Sequence, residues 1–233
     1  MCGRFNIISD SLQIRILMDR LGVDFSLPSQ YNIAPTEEIP VIRQIDGENE
    51  LVMMRWWLVP AWAPEPSTKY SMFNARSDKV LQSRAFAGPF KRQRAIIPAS
   101  NFIEWQKLND VKQPYCIEPA DQTDAFAFAG IWEHWQSREQ PELAINSCAI
   151  ITTDAVASFK VVHDRMPVIL QPVEYHRWLS NKTPLEDLMP LLKPRLVTAL
   201  NVTAVDKRIN NARHKSAEDL LEIGESVFIE QWQ

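Results

Sequence analysis

The chain has 233 residues, of which 45% are hydrophobic and 23% charged, and it carries a net charge of −4 with a pI of about 5.6. This is the composition of an ordinary soluble globular protein, and the length predicts a single domain over residues 1–233. Three cysteines and four histidines, without a CxxC pair, argue against a disulfide framework and against a metal site. No stretch has the length and apolarity of a signal peptide or a membrane span, so we expect a cytoplasmic protein that does not enter membranes.

The first half of the chain alternates between helical and strand patterns. In chain order, the pattern predicts a helix over Ser9–Leu21 capped by Ser9 or Asp10, a loop over Ser29–Glu37, strands over Ile39–Ile45 and Glu50–Val59 joined by an Asp46-Gly47 turn, a Pro-rich loop over Pro60–Pro66, and a short helix over Arg76–Ser83.

The second half is dominated by short strands. It predicts strands over Arg94–Pro98, Phe102–Gln106, Tyr115–Glu118, Phe126–Trp132, Asn146–Thr152, Pro167–Leu170 and Leu196–Val205, and helices over Val173–Ser180, Leu185–Leu192 and Ala217–Ile223. Many short strands with scattered helices predict an α+β fold built on a curled, barrel-like, mainly antiparallel sheet with peripheral helices.

Charge is unevenly distributed along the chain. The acidic net charge taken alone argues against binding to nucleic acids. However, no acidic residue occurs between Asp78 and Glu104, a segment that holds Lys79, Arg84, Lys91, Arg92 and Arg94. This segment is either a solvated basic face or a surface for phosphates.

Cys2 directly follows the initiator methionine. Because small residues at this position permit removal of Met1, the mature chain would begin with a free α-amine and a thiol on one residue. Such a 1,2-aminothiol forms an imine with an aldehyde and then closes to a thiazolidine ring, and its two groups titrate near pH ~7.7 and ~8.5. The alternative is a cysteine without a role that merely follows the start codon.

Three further segments hold polar residues suited to chemistry. Glu104, between bulky apolar residues in a strand pattern, is either a part-buried carboxyl with a raised pKa or an edge residue facing water. His163, just before a strand, is a general acid or base or a surface histidine. Asn74 is a ligand-binding amide or a helix cap, and Arg76 suits a phosphate.

Eight tryptophans are many for this length. Trp62, in a Pro-flanked loop, could stack on a nucleic-acid base, a contact worth ~1–3 kcal/mol. We expect Trp56, Trp57 and Trp132 in the core.

Taken together, these segments closely resemble the SRAP family of abasic-site crosslinking proteins. The resemblance rests on motifs in a specific order over nearly the whole chain: Met-Cys-Gly-Arg-Phe at 1–5, Tyr-Asn-Ile-Ala-Pro-Thr at 31–36, Trp-Leu-Val-Pro-Ala-Trp at 57–62, Asn-Ala-Arg-Ser at 74–77, Arg-Ala-Ile-Ile-Pro at 94–98, Phe-Ile-Glu-Trp at 102–105, Ala-Gly-Ile-Trp at 129–132, Thr-Thr at 152–153 and His-Asp-Arg-Met-Pro at 163–167.

The resemblance implies catalytic roles for four positions. Cys2 would form the thiazolidine with the ring-opened sugar of an abasic site in single-stranded DNA, and Asn74 would hold the Cys2 region and the sugar. Glu104 would transfer protons during imine formation and ring closure, while His163 would assist opening of the sugar. The family name also implies that the protein frees its own Cys2 from Met1.

The same resemblance implies a DNA path that needs no cofactor. Arg4, Arg76 and Arg165 would bind phosphates, with Arg84 of the basic segment as a further candidate. Pro35, Trp62 and Trp105 would lie along the path and favour single strands or junctions.

Two positions depart from the family pattern. The segment Val205–Asn210 lacks a glycine that relatives carry there, and Ala63 stands where a second aromatic residue commonly follows Trp62. The second difference predicts weaker stacking.

We therefore expect a monomeric, cofactor-free protein that crosslinks to abasic single-stranded DNA. Two other functions remain open. One is a thiol peptidase acting in trans with Cys2 and His163, and the other is a non-covalent single-strand binder. A lyase, in which strand scission follows imine formation before the ring closes, is a variant of the crosslinking function.

Overall fold

The computed structural model describes residues 2–24, 26–108, 111–121 and 124–230. The strands within these ranges are β1 (Arg4–Ile7), β2 (Gln30–Ile33), β3 (Glu38–Ile45), β4 (Glu48–Arg55), β5 (Asn74–Arg76), β6 (Arg94–Ala99), β7 (Asn101–Leu108), β8 (Val111–Pro119), β9 (Phe126–Gln136), β10 (Ala144–Asp154), β11 (Arg165–Pro167), β12 (Leu200–Ala204) and β13 (Val227–Ile229). The helices are α1 (Leu12–Leu21), α2 (Ala87–Arg92), α3 (Tyr175–Leu179) and α4 (Leu185–Leu188), and short 3₁₀ turns lie at Ala157–Phe159, Pro172–Glu174, Met189–Leu192, Lys207–Asn210 and Ala217–Asp219.

Five strands close into a barrel. β4, β3, β6 and β9 pair in turn as antiparallel neighbours, and the long strand β10 pairs with both β9 and β4 to complete the ring. β10 extends beyond the ring, where its carboxyl half also pairs with β5 and β11. The predicted α+β fold with a barrel-like antiparallel sheet is confirmed.

A second, six-stranded antiparallel sheet has the order β13-β12-β8-β7-β1-β2. Its inner strands β1 and β7 pair in the register Arg4↔Ile103, Phe5↔Phe102 and Asn6↔Asn101. This register brings the residues before Arg4 alongside the middle of β7.

Aromatic side chains join the two sheets. Phe5 and Phe102 of the six-stranded sheet pack against Phe128 of the barrel, with ring centroids 6.1 and 5.9 Å apart. Phe126 and Trp56 extend this cluster, and one core of buried residues runs through both sheets. The seam between the sheets is therefore held rigidly near the start of the chain.

Elements with a strong local signal form where the sequence predicts them. α1 begins after Ser11, whose hydroxyl accepts from the backbone N–H of Ile14, and it ends at Gly22 in the left-handed conformation with φ 65°. The predicted cap at Ser9 or Asp10 is therefore wrong by one or two residues. The β3–β4 hairpin turns at Asp46 and Gly47, both with positive φ, as an Asp-Gly turn requires.

Several elements differ from the prediction because their secondary structure depends on pairing with strands that are distant in sequence. Residues 76–83 do not form a helix, since Asn74–Arg76 pairs in parallel with β10 as β5. Part of the predicted loop at 29–37 becomes β2 by pairing with β1. The predicted helix at 217–223 is only a 3₁₀ turn, because the Ile223 N–H donates to Ala204 O beside β12. β13 lies where no element is predicted.

No helix within the described ranges is both long and apolar enough to span a bilayer.

Candidate active site

The four predicted catalytic residues meet at the seam between the two sheets. Cys2 directly precedes β1, and Glu104 lies in the middle of β7. Asn74 begins β5 on the barrel side, and His163 lies two residues before β11. A hydrogen bond links Asn74 to Cys2, and electrostatic interactions link Cys2 to Glu104 and Glu104 to His163.

Cys2 is fully buried and anchored through its backbone. The side-chain amide of Asn74 donates to the Cys2 carbonyl oxygen from 2.7 Å, which links the two sheets. Burial raises the pKa of the Cys2 thiol well above its ordinary value, and the neighbouring Glu104 carboxylate raises this pKa further. The thiol is therefore held in its neutral form at physiological pH. Met1, whose removal the sequence predicts, lies outside the described residues.

Asn74 has a second polar atom aimed into this seam. Its Oδ1 is buried and has no hydrogen-bond partner among the described residues. A buried amide oxygen without a partner costs free energy in the empty site, and a donor on a bound molecule would recover it.

Glu104 is 2% exposed and lies on an inner strand between β1 and β8, so it is not an edge residue facing water. Burial raises the pKa of the Glu104 carboxyl above its ordinary value, while the nearby His163 lowers this pKa in part. A carboxyl with a raised pKa exchanges protons closer to neutral pH, which suits a general acid and base.

His163 is half-buried and has one ring nitrogen fixed by the backbone. The N–H of Arg165 donates to His163 Nδ1 from 2.9 Å. The Arg165 carbonyl oxygen lies farther from the same nitrogen, at 3.2 Å, so the shorter bond favours a proton on Nε2 in the neutral ring.

Two depressions are lined in part by residues of this seam. A cleft of about 890 Å³ is lined by Glu104, Trp105, His163 and Asn210, and its rim carries Lys107, Lys112 and Lys160. A second depression of about 740 Å³ is lined by Asn74, Arg76, Asp78 and Lys79, among others. Cys2 therefore has a partner in each depression: it accepts a hydrogen bond from Asn74 in one and interacts electrostatically with Glu104 in the other.

The predicted phosphate-binding arginines differ in their surroundings. Arg76 is exposed, and its guanidinium pairs with Asp78 at 2.9 Å. Arg165 is buried and donates to Asp154 Oδ1 at 2.6 Å and to Thr152 O at 2.7 Å, so it braces β10 against β11. Arg165 also lies 3.8 Å from Asp78, which therefore sits between two guanidinium groups.

Arg84 and Trp62 form an exposed pair. The Arg84 guanidinium lies 4.2 Å from the centroid of the Trp62 ring, and Trp62 is 44% exposed. A cation placed over an indole is attracted by the ring electrons, so one face of Trp62 is covered and the rest of the ring is accessible. Pro35 is half-buried and lies between two residues with positive φ, Asn32 at 49° and Thr36 at 83°.

Trp105 lines one wall of the larger cleft, and Arg4 packs against Trp105. The Arg4 guanidinium lies 5.8 Å from the Trp105 ring centroid and donates to Asn32 Oδ1 at 2.6 Å and to Ile209 O at 3.0 Å. Trp105 Nε1 donates to Asn210 Oδ1 at 2.6 Å. The Lys207–Asn210 turn therefore contacts the site although it lacks the family glycine.

Asn32 accepts a hydrogen bond from Arg4, and the sequence assigns it no role. It is fully buried, and its amide nitrogen lies within 3.1 Å of the carbonyl oxygens of Ile209, Asn211 and His214. Its position within the Tyr-Asn-Ile-Ala-Pro-Thr motif is the sequence feature that could have identified it. The left-handed φ of 49° adds a structural reason for asparagine, which tolerates this conformation.

The acid-free segment is only partly a basic surface. Lys79, Arg84, Lys91 and Arg92 are exposed. Arg94 instead is buried and donates to the carbonyl oxygens of Trp178, Phe90, Lys91 and Ser180. It fastens β6 to α2 and α3, and the reading of this residue as part of a basic face is wrong.

The three tryptophans expected in the core also differ from one another. Trp56 and Trp132 are buried, whereas Trp57 is half-buried with its Nε1 donating to Ser67 O. Among the described residues, no group of three or more His, Cys, Asp or Glu side chains is placed to hold a metal ion.

Comparison with known proteins gives consistent matches over most of the chain. A family model described as SOS response associated peptidase (SRAP) matches residues 1–212. The Abasic site processing protein YoaM of Bacillus subtilis (strain 168) is 35% identical over 225 residues, which cover 94% of this chain and 96% of that protein. The Abasic site processing protein HMCES of Xenopus tropicalis is 31% identical over 218 residues, which cover 81% of this chain and 64% of that protein. A crystal structure of a protein from Bacteroides thetaiotaomicron shares the fold with a TM-score of 0.78 at 23% identity, covering 90% of this chain and 95% of that one.

Proposed function

The chain belongs to the SRAP family, and from this premise we propose that it processes abasic sites by bonding covalently to them through Cys2 in single-stranded DNA. The observation that carries the proposal is the junction of Cys2, Asn74, Glu104 and His163 at one seam. The named relatives are abasic site processing proteins, which points to the same substrate class.

The first proposed step is attack by the α-amine of Cys2, freed by loss of Met1. The amine adds to the aldehyde carbon of the ring-opened sugar and gives a carbinolamine, which loses water to form an imine. The protonated Glu104 carboxyl supplies the proton that the departing hydroxyl needs. The raised pKa of Glu104 supports this role, because it brings proton exchange by the carboxyl closer to neutral pH.

The second proposed step closes the ring. The Cys2 sulfur bonds to the imine carbon, and the thiol proton is transferred to nitrogen by way of the Glu104 carboxylate, which gives a thiazolidine with no atoms lost. The raised pKa of the Cys2 thiol supports this order, because a neutral thiol leaves the amine as the first nucleophile.

Asn74 and His163 position the sugar. Asn74 holds the backbone of Cys2, and its buried Oδ1 accepts a hydrogen bond from the α-amine or from a sugar hydroxyl. His163 donates from Nε2 to the sugar oxygen and assists ring opening. Flanking phosphates lie along the two depressions, near Arg76 and Arg84 on one side and Lys112 and Lys160 on the other. Arg4 and Arg165 support the walls of this path.

A crosslinking gel tests the proposal. Single-stranded DNA with one uracil is treated with a uracil glycosylase and mixed with protein of confirmed mass lacking Met1. Wild-type protein should give a denaturation-resistant band without a reductant, and its mass should equal the sum of protein and DNA minus one water. Cys148→Ala, which removes another buried thiol, should give the same band.

Cys2→Ala separates the two steps, because it keeps the α-amine and loses the thiol. It should give a band only after borohydride reduction, and without reductant it should show strand scission from the unprotected imine. A protein that retains Met1 should give neither. An equal unreduced band from Cys2→Ala, or no band from wild type, would refute the covalent route.

The same materials distinguish the other two functions. A thiol peptidase needs a thiolate, and the buried, neutral Cys2 thiol argues against it. Cleavage of a fluorogenic peptide that iodoacetamide stops would support that function instead. A non-covalent binder would retain abasic DNA in a native gel and release all of it on denaturation.

A further inference from the structure

The free edge of the six-stranded sheet lies far along the sheet from the catalytic seam. Within the described residues, its last strand β13 pairs only with β12. Val227 is 58% exposed and Phe228 is 56% exposed. Consecutive residues of a strand point to opposite faces of the sheet, so the edge is open on both faces at Val227 and Phe228, whereas Ile229 is buried.

The exposed apolar residues continue along the chain before β13. Leu221 and Ile223 are each about half exposed. The Asp206 N–H donates to Leu221 O and the Ile223 N–H donates to Ala204 O, so these residues also run alongside the β12 segment. We call residues 221–229 the edge strip.

The edge strip carries acidic side chains but neither lysine nor proline. Such edges commonly carry lysine or proline, which discourage the addition of another strand. From Ser216 to Gln233 the chain has no Lys, Arg, His or Pro. An accessible apolar edge of this kind is a template for strand addition.

The charged side chains of residues 216–230 are all acidic. This range holds five acidic residues, which are Glu218, Asp219, Glu222, Glu225 and Glu230. Glu118 of β8 adds to this set, because its pKa is raised first by burial and then by the charge of Glu222. The family model ends at residue 212, so the edge strip lies beyond the part of the chain that the family shares by that measure.

We propose that the edge strip binds an extended segment of a partner protein in which lysine or arginine alternates with apolar residues. The segment adds as a seventh strand beside β13, its backbone pairing with the open edge. Its apolar side chains cover Val227 or Phe228 on one face, and its cations face the carboxylates of Glu222, Glu225 and Glu230.

Charge argues against two other occupants. A second copy of this chain would place acidic residues beside acidic residues, which destabilises cross-strand pairing. Nucleic acid would be repelled by the same carboxylates. The proposal does not depend on the abasic-site chemistry, because strands β12 and β8 lie between β13 and β7.

The binding test uses synthetic fluorescein-labelled peptides and the full chain. The probe is an eight-residue Lys-Val repeat, measured by fluorescence anisotropy. A Lys-Gly repeat of equal charge and low strand propensity and a Glu-Val repeat serve as peptide controls. The Lys-Val probe should bind at least tenfold more tightly than the Lys-Gly control and weaken with added salt, and the Glu-Val control should not bind.

Variants locate the binding. The double variant Glu225→Lys, Glu230→Lys should weaken Lys-Val binding at least tenfold, as should Phe228→Thr. The matched control Glu139→Lys, Glu142→Lys reverses two exposed charges near the β9–β10 turn and should leave binding unchanged. All the substituted side chains are exposed, so the fold should persist, which circular dichroism checks.

Three outcomes would overturn the proposal. The first is equal binding of the Lys-Val and Lys-Gly peptides, which would mean attraction without strand addition. The second is equal loss of binding in the control variant. The third is a wild-type dimer in sedimentation analysis that Phe228→Thr dissociates, which would assign the edge strip to a second copy.

Discussion

Replacing Asn32 should destabilise the protein more than replacing an asparagine that makes one or two hydrogen bonds. The Asn32 amide joins the Arg4 guanidinium on one side to the carbonyl oxygens of Ile209, Asn211 and His214 on the other. It is fully buried and has a left-handed φ of 49°. Truncation therefore leaves buried carbonyl groups and a guanidinium without this partner.

The expected magnitude follows from these contacts. The two amide hydrogens are worth about 1 kcal/mol each and the bond to the charged Arg4 about 2 kcal/mol, so Asn32→Gly should lower the free energy of unfolding by about 4 kcal/mol. Asn32→Ala should cost about 1 kcal/mol more, because its Cβ disfavours the left-handed conformation. For a chain of this length, 4 kcal/mol corresponds to a fall in Tm of about 8–16 °C.

Urea denaturation followed by tryptophan fluorescence measures these differences. Asn49→Ala is the matched control, since the half-buried Asn49 amide makes two neutral hydrogen bonds, donating to Leu21 O and accepting from Gln44 Nε2. It should cost about 1–2 kcal/mol. If Asn32→Ala costs no more than Asn49→Ala, or if Asn32→Gly is the less stable of the two Asn32 variants, the reasoning about this amide is wrong.

Three further changes test other parts of the molecule. Gly130→Ala should cost about 1–3 kcal/mol in urea denaturation because its methyl group would lie 2.9 Å from Ile97 Cδ1, whereas Gly88→Ala, with 3.7 Å to its nearest atom, should not destabilise the protein. Burial raises the pKa of Glu104, so the folded protein holds this proton to higher pH than the unfolded chain does. The stability that this provides is complete below the pKa of Glu104 in the unfolded chain and is lost as pH rises through its pKa in the folded protein. Above that pH range, Glu104→Gln should therefore be more stable than wild type in a pH series of thermal melts. Equal stability of the two proteins at every pH would contradict the raised pKa. Trp62→Ala should weaken binding to undamaged single-stranded DNA by about 1–3 kcal/mol, or roughly 5- to 150-fold, and an unchanged affinity would remove Trp62 from the DNA path.

The sequence predicts those parts of the fold that short-range signals determine. The helix after Ser11 and the Asp46-Gly47 hairpin form as expected because capping and turn conformation act within a few residues. β2, β5 and β13 are three or four residues long, and they exist because a distant strand supplies their hydrogen-bonding partners. No local pattern carries that information.

A similar division holds for the candidate site. The resemblance of short motifs singled out Cys2, Asn74, Glu104 and His163, and the structure places them at one seam. The motifs could not show that Arg94 and Arg165 are buried, because exposed and buried arginines look alike in sequence. Nor could they show that Asn32 links the chain's first strand to a turn near residue 209.

The burial of Cys2 has a consequence for how long the protein stays competent. Oxidants and alkylating agents attack cysteines as exposed thiolates, and the Cys2 thiol is neither exposed nor ionised. Thiolate-dependent attack by peroxide or glutathione disulfide should therefore be slow at this residue. A residue at the very start of a chain is ordinarily among the first to be damaged, whereas this one should remain reduced for longer.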